Sequence, residues 1–149
     1  MRSDLVTIIL AEDDDGHATL VQKNLERAGF LNTIVRAKDG QEALDILQNT
    51  GEFAGKRPTG PMLLVLDLKM PRLDGFEVLR RMKSDPELAR IPTIVLTTTD
   101  DPREVEACYK LGCNVYLTKP VAYEAFIEAI RRLGMFLQLV KFPNATPNP

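Results

Sequence analysis

The sequence predicts an α/β fold, a doubly wound five-stranded parallel sheet in a single domain, and three observations carry that prediction. Short apolar runs alternate with segments of helical periodicity five times along the chain. One run, Met62-Leu63-Leu64-Val65-Leu66, is apolar without a break, the pattern of a strand buried on both faces. Three runs end in charge: Val6 to Ala11 in Glu12-Asp13-Asp14-Asp15, Met62 to Leu66 in Asp67, and Val115 to Thr118 in Lys119-Pro120. In open α/β sheets the carboxyl ends of the strands are the edge where sites are built.

Each element follows from local pattern. After the first strand, Ala18, Val21, Leu25 and Ala28 recur at helical spacing, and Gly29 is expected to close that helix. Asp14 and Asp15 suit its N-cap and first turn. Thr33 to Ala37 reads as a second strand, and Ala43, Leu44, Ile46 and Leu47 as a short helix after Asp39-Gly40. Residues 49–61 hold three Gly and two Pro and read as a long loop. The Asp67 strand follows, then Asp74-Gly75 as a helix start before Phe76, Val78, Leu79 and Met82. Ile94-Val95-Leu96 is the fourth strand. Val105, Cys108, Tyr109 and Leu111 mark a helix ended by Gly112, and Tyr123 to Val140 a long last helix. From Phe142 on, three prolines predict a frayed tail.

Composition narrows the function. A chain of 149 residues can bury one full core, and its formal charge of −2 argues against a general nucleic-acid surface. No apolar stretch approaches the roughly 20 residues that cross a bilayer, and the N-terminus lacks a signal-peptide pattern, so a cytoplasmic protein without a membrane partner is expected. Cys108 and Cys113 form no CxxC or Cys/His cluster, which leaves structural zinc unsupported and free thiols expected.

Carboxylates and one lysine on a single sheet edge suit a phosphoryl-accepting site with a divalent metal. Mg²⁺ takes oxygen ligands, commonly one or two carboxylates with water and phosphate oxygens. Glu12, Asp13 and Asp67 offer three negative charges; the metal and Lys119 bring three positive. Crowded carboxylates would otherwise repel and take up protons. A metal keeps Asp67 ionised and nucleophilic. The phosphoryl group adds about −1.5 to −2 charges, which calls for Lys119 as cation and Thr97 as hydroxyl donor.

These motifs, Glu12-Asp13, Asp67…Met70-Pro71…Asp74-Gly75, Thr97 after Ile94-Val95-Leu96, and Lys119-Pro120, occur together and in order. The chain therefore resembles a two-component response-regulator receiver domain, a flavodoxin-like (βα)5 fold, over roughly Val6 to Leu137. The resemblance implies a receiver over 1–141 and a flexible C-terminal tail over 142–149. It further implies that Asp67 accepts a phosphoryl group from a sensor histidine kinase. Mg²⁺ (or Mn²⁺) would be held by Asp13, Asp67, the backbone carbonyl of Lys69, and Glu12 directly or through water. Thr97 would follow the phosphoryl group, and Tyr116 would turn inward as the aromatic switch. The Lys119-Pro120 bond is usually cis in this family.

Departures from the family pattern are few. Glu12 stands where Asp is commoner, and Thr98 is bulkier than the usual Ala or Ser. The side chains of Lys69 and Thr99 occupy positions that tune dephosphorylation; Lys69 could touch the phosphoryl group or point into water. The long loop, the Thr97-Thr98-Thr99 run and the extended last helix make the chain similar to the small stand-alone regulators of cyanobacterial phytochromes. Those relatives often dimerise through a face that here would include Tyr109, Tyr123, Phe126, Met135 and Phe136, with Phe136 and Leu137 equally suited to the core. His17, the one histidine, is expected to be an exposed helix residue.

Two rivals remain. An aspartyl-phosphate phosphohydrolase needs a second Asp two residues after the first, where this chain has Lys69. A receiver-like adaptor that works without phosphorylation would not need the acid pair, Asp67, Thr97 and Lys119. The expected protein is no enzyme beyond its own phosphorylation and dephosphorylation. It signals through contact with a downstream protein that the sequence does not name.

Overall fold

Strand alternation decides which residues reach which side of the sheet, and β3 (Met62–Leu66) shows the rule. Its Met62, Leu64 and Leu66 enter one apolar cluster, and Leu63 and Val65 enter the other. An unbroken apolar run is therefore two half-cores interleaved. The computed structural model describes residues 5–143 and contains β1 (Thr7–Ala11), β2 (Ile34–Ala37), β3, β4 (Thr93–Thr97) and β5 (Val115–Thr118). All pair in parallel, in the order β2-β1-β3-β4-β5.

Helices α1 (Asp15–Arg27), α2 (Gly40–Gln48), α3 (Gly75–Lys83), α4 (Pro102–Lys110) and α5 (Tyr123–Leu137) cover both faces. Ala18, Val21 and Leu25 of α1 share one cluster with Phe126, Ile130, Leu133 and Leu137 of α5. The other cluster takes Leu44 and Leu47 of α2, Val78, Leu79 and Met82 of α3, and Cys108 of α4. The doubly wound prediction holds. So do the caps: the Asp14, Asp39 and Asp74 side chains accept from the backbone N–H three residues on. Gly29 and Gly112 follow their helices with φ of +99° and +102°, a conformation that disfavours a side chain.

Several expectations need correction. Helix α5 ends at Leu137, three residues early, and the 49–61 loop contains a 3₁₀ turn at Gly51–Phe53. Phe126 is buried against α1 and β1, not surface-exposed, whereas Phe136 is exposed and Leu137 buried. An amphipathic helix has one inward stripe, and Phe126, Ile130, Leu133 and Leu137 occupy it at spacings of three and four. Lys119-Pro120 is trans, with no cis bond among the described residues; the isomers differ by only about 0.5–1 kcal/mol, so context decides. Of the expected tail, residues 144–149 lie outside the described residues, while Phe142 packs against the α1–α5 cluster. Both cysteines are free and buried.

Candidate functional site

Three strand ends meet at the carboxyl edge. Glu12 and Asp13 follow β1, Asp67 follows the adjacent β3, and Lys119 follows β5. Helix α3 can approach this edge because its first residue is glycine. A Cβ on Gly75 would stand 2.5 Å from the Asp67 carbonyl oxygen and 2.8 Å from Leu68 Cα. The Gly75 N–H donates to the Leu68 carbonyl at 2.8 Å, fixing the loop that carries Lys69.

Around Asp67 the partners divide by oxygen. Thr97 Oγ donates to Oδ1 at 2.8 Å, and Lys119 Nζ donates to Oδ2 at 3.0 Å. Lys119 also donates to Glu12 Oε1 at 2.5 Å. Carboxylate oxygens of Glu12, Asp13 and Asp67 lie within 4.8 Å of one another. Glu12, Thr97 and Lys119 are buried, Asp67 is half-buried, and Asp13 faces solvent. Burial pushes the Glu12 carboxyl up from its ordinary value, against the lowering pull of Lys119. For Lys119 burial pulls down, but the hydrogen bond from Lys119 to Glu12 and the charges of Asp67 and Glu12 outweigh it, and the ammonium is held above its ordinary value.

Three carboxylates against one ammonium leave two negative charges uncompensated within this cluster. The donors are all hard oxygens, the set that suits Mg²⁺ or Mn²⁺ and not a soft metal. The residues present fit a divalent cation.

Beyond Thr97, the β4–α4 segment is tied at three points. Thr99 Oγ donates to Glu104 Oε2 at 2.5 Å, and the Asp101 N–H donates to Thr99 Oγ at 3.3 Å. Tyr116 Oη donates to the Thr99 carbonyl at 2.7 Å, while its own N–H donates to Tyr109 Oη at 3.0 Å. The Tyr116 ring is half-buried against the α2–α4 cluster, and burial pushes its hydroxyl up to about 12. Lys69 and Thr98 are exposed.

Three contributors escaped the sequence reading. Arg36 of β2 donates from Nε and Nη2 to the Glu12 carbonyl at 3.0 and 2.9 Å, and from Nη1 to Asp15 at 2.6 Å, bracing the acidic loop. Asp39 takes Arg72 at 2.8 and 3.2 Å, which ties the start of α2 to the β3–α3 loop where Arg72 has φ of +64°. His17 is not a free surface residue: its Nδ1 is 3.1 Å from Lys119 Nζ. Signals existed for two of them. Arg36 is a charge inside a strand one residue from its carboxyl end, and His17 lies one helical turn after Asp13.

The model for the response regulator receiver domain matches residues 8–131. The chain belongs to that family. This receiver is 36% identical over 139 residues to the response regulator Rcp1 of Synechocystis sp., covering 93% of each chain. Among solved structures it resembles a receiver domain from Rhodospirillum rubrum at TM-score 0.83 and 44% identity, covering 92% and 96% of the two chains. The Mn²⁺-bound form of Rcp1 (TM-score 0.83, 34% identity) is covered to 98% by 92% of this receiver. A phosphorylated cyanobacterial phytochrome response regulator, RcpA, gives the same score and identity at 92% and 97% coverage. The receiver is thus similar to stand-alone, phytochrome-type regulators. No helix among its described residues is long and apolar enough to cross a membrane.

Proposed function

We propose that this receiver is the phosphoryl-accepting switch of a two-component phosphorelay, with Asp67 as acceptor and a phytochrome-type sensor histidine kinase as donor. The observation that carries the reading is the Asp67 carboxylate, gripped on one oxygen by Thr97 and on the other by Lys119, beside the Glu12–Asp13 acids. In the transfer, the N–P bond of the kinase phosphohistidine breaks and an Asp67 O–P bond forms. The leaving imidazole keeps the electron pair and takes a proton. Glu12, Asp13, Asp67 and the Lys69 carbonyl would hold Mg²⁺ or Mn²⁺. When bound, that ion supplies positive charge for the crowded carboxylates and the phosphoryl oxygens.

Lys119 and Thr97 are the cation and hydroxyl that meet the new phosphoryl oxygens. As Thr97 follows, Tyr116 gives up the Thr99 carbonyl and moves inward, which changes the α4–β5–α5 surface. That surface exposes Tyr109, Tyr123, Met135 and Phe136, the side chains we assign to contact with a second copy or a downstream protein. Phosphoaspartate hydrolysis by water resets the switch, and no separate substrate is turned over.

Intact-mass spectrometry after incubation with acetyl phosphate and Mg²⁺ tests the reading. The expected result is one phosphoryl adduct on wild type, absent from Asp67→Asn and from an EDTA control. No adduct, together with no binding of beryllium fluoride, would overturn it in favour of a phosphorylation-independent adaptor.

A further inference from the structure

Lys119 carries three N–H donors and no acceptor, and it is 4% exposed. Its neighbours are Glu12 Oε1 at 2.5 Å, Asp67 Oδ2 at 3.0 Å and His17 Nδ1 at 3.1 Å. The first two take one donor each, so the third falls on the imidazole. An ammonium can only donate. Nδ1 must therefore offer a lone pair, which makes His17 a neutral ring with its proton on Nε2. The residue is held at two further points, one on its backbone and one on its ring. The His17 backbone N–H donates to the Asp14 side chain at 2.9 Å, and the ring stands 5.7 Å from that of Phe126, tilted by 57°.

We infer that His17 is a positioning residue for Lys119, the neutral third acceptor that keeps the ammonium aimed at Asp67. The inference rests on the reading of Asp67 as phosphoryl acceptor. A third carboxylate in place of His17 would satisfy the same donor but add negative charge where a phosphoryl group must arrive. A side chain with no acceptor would leave a buried N–H unpaired or let the lysine fold onto Glu12. The imidazole avoids both. When Asp67 becomes an acyl phosphate, Lys119 exchanges Oδ2 for a phosphoryl oxygen, and Glu12 and His17 keep the other two donors.

The test uses the full chain with two substitutions. His17→Phe keeps a ring against Phe126 and removes the acceptor; His17→Asn sets an amide oxygen near the position of Nδ1. Nitrogen-15 NMR of wild type is expected to show His17 protonated on Nε2 and bare on Nδ1. At saturating Mg²⁺, His17→Phe is expected to take the phosphoryl group from acetyl phosphate about tenfold more slowly, the scale of one lost hydrogen bond, with unchanged Mg²⁺ affinity. His17→Asn is expected to recover most of that rate. A proton on Nδ1, or a His17→Phe variant as fast as wild type, overturns the inference while leaving the phosphoryl switch standing. Absence of an adduct on wild type overturns the switch, and this inference with it. If His17→Phe does not fold, the wild-type NMR assignment decides.

Discussion

The two ends of β5 handle buried titratable groups in opposite ways. At its exit, Lys119 is charged and lies against Glu12 and Asp67. At its entrance, Cys113 and the neighbouring Cys108 are buried free thiols, and burial, the largest cause, pushes the Cys108 thiol up to about 12. Tyr116, between the two ends, is likewise pushed up to about 12, chiefly by burial. Four residues of strand separate a site that keeps its ions from a core that forbids them. Burial alone selects the neutral form; burial among opposite charges retains the ionised one. The charged end thus keeps an ammonium in place, and in the proposed function it is that ammonium together with a bound divalent cation that would receive the phosphoryl anion.

Removing the cation should have the largest effect. In Lys119→Met the buried Glu12 and the half-buried Asp67 lose their counter-charge, which is expected to cost about 3 kcal/mol in urea unfolding and to abolish the acetyl-phosphate adduct. Stability equal to wild type would mean that Glu12 simply takes up a proton there. The second test adds a divalent cation. Mg²⁺ at 100 times its Kd should stabilise the chain by about 2.7 kcal/mol, and Asp13→Ala should lose most of that gain in thermal melts.

The entrance of the strand makes an alkaline prediction. The folded-state value of Cys108 lies above its unfolded value, so its contribution is full below about pH 9, the ordinary thiol value, and lost as pH rises towards about 12. One unit above that ordinary value the loss is about 1.4 kcal/mol, and Cys108→Ala should flatten the dependence of unfolding free energy on pH in that window. An unchanged slope would assign the alkaline loss to Cys113 and Tyr116, both also raised by burial. The smallest effect belongs to the surface. Glu77 of α3 is held by both Arg80 and Arg81, yet these ion pairs are exposed, and Glu77→Gln should leave the melting temperature where it was.

What the sequence revealed follows from the range of each interaction. Strand positions, the aspartate caps and the two-sided burial of Met62–Leu66 are local patterns, and the structure matches the strands to within a residue at either end. Asp67, Glu12, Thr97 and Lys119 were legible as a group because parallel strands bring their carboxyl ends to one edge by topology alone. The contacts that hold them were not. Arg36 reaches Glu12 across 24 positions and His17 reaches Lys119 across 102, and no periodicity encodes such meetings. Phe126 was misassigned because an apolar helix residue looks the same whether its stripe turns inward or outward.

The ties of Tyr116 to Thr99 and Tyr109 have an optical consequence. The chain has no tryptophan and three tyrosines, all in α4, β5 or α5. Two of the three are joined through Oη and backbone hydrogen bonds in the segment that follows Thr97. Tyrosine emission from this protein therefore comes from one side of the molecule only, without a tryptophan to mask it. The unlabelled chain carries its own reporter of that surface, readable in real time as ligands are added.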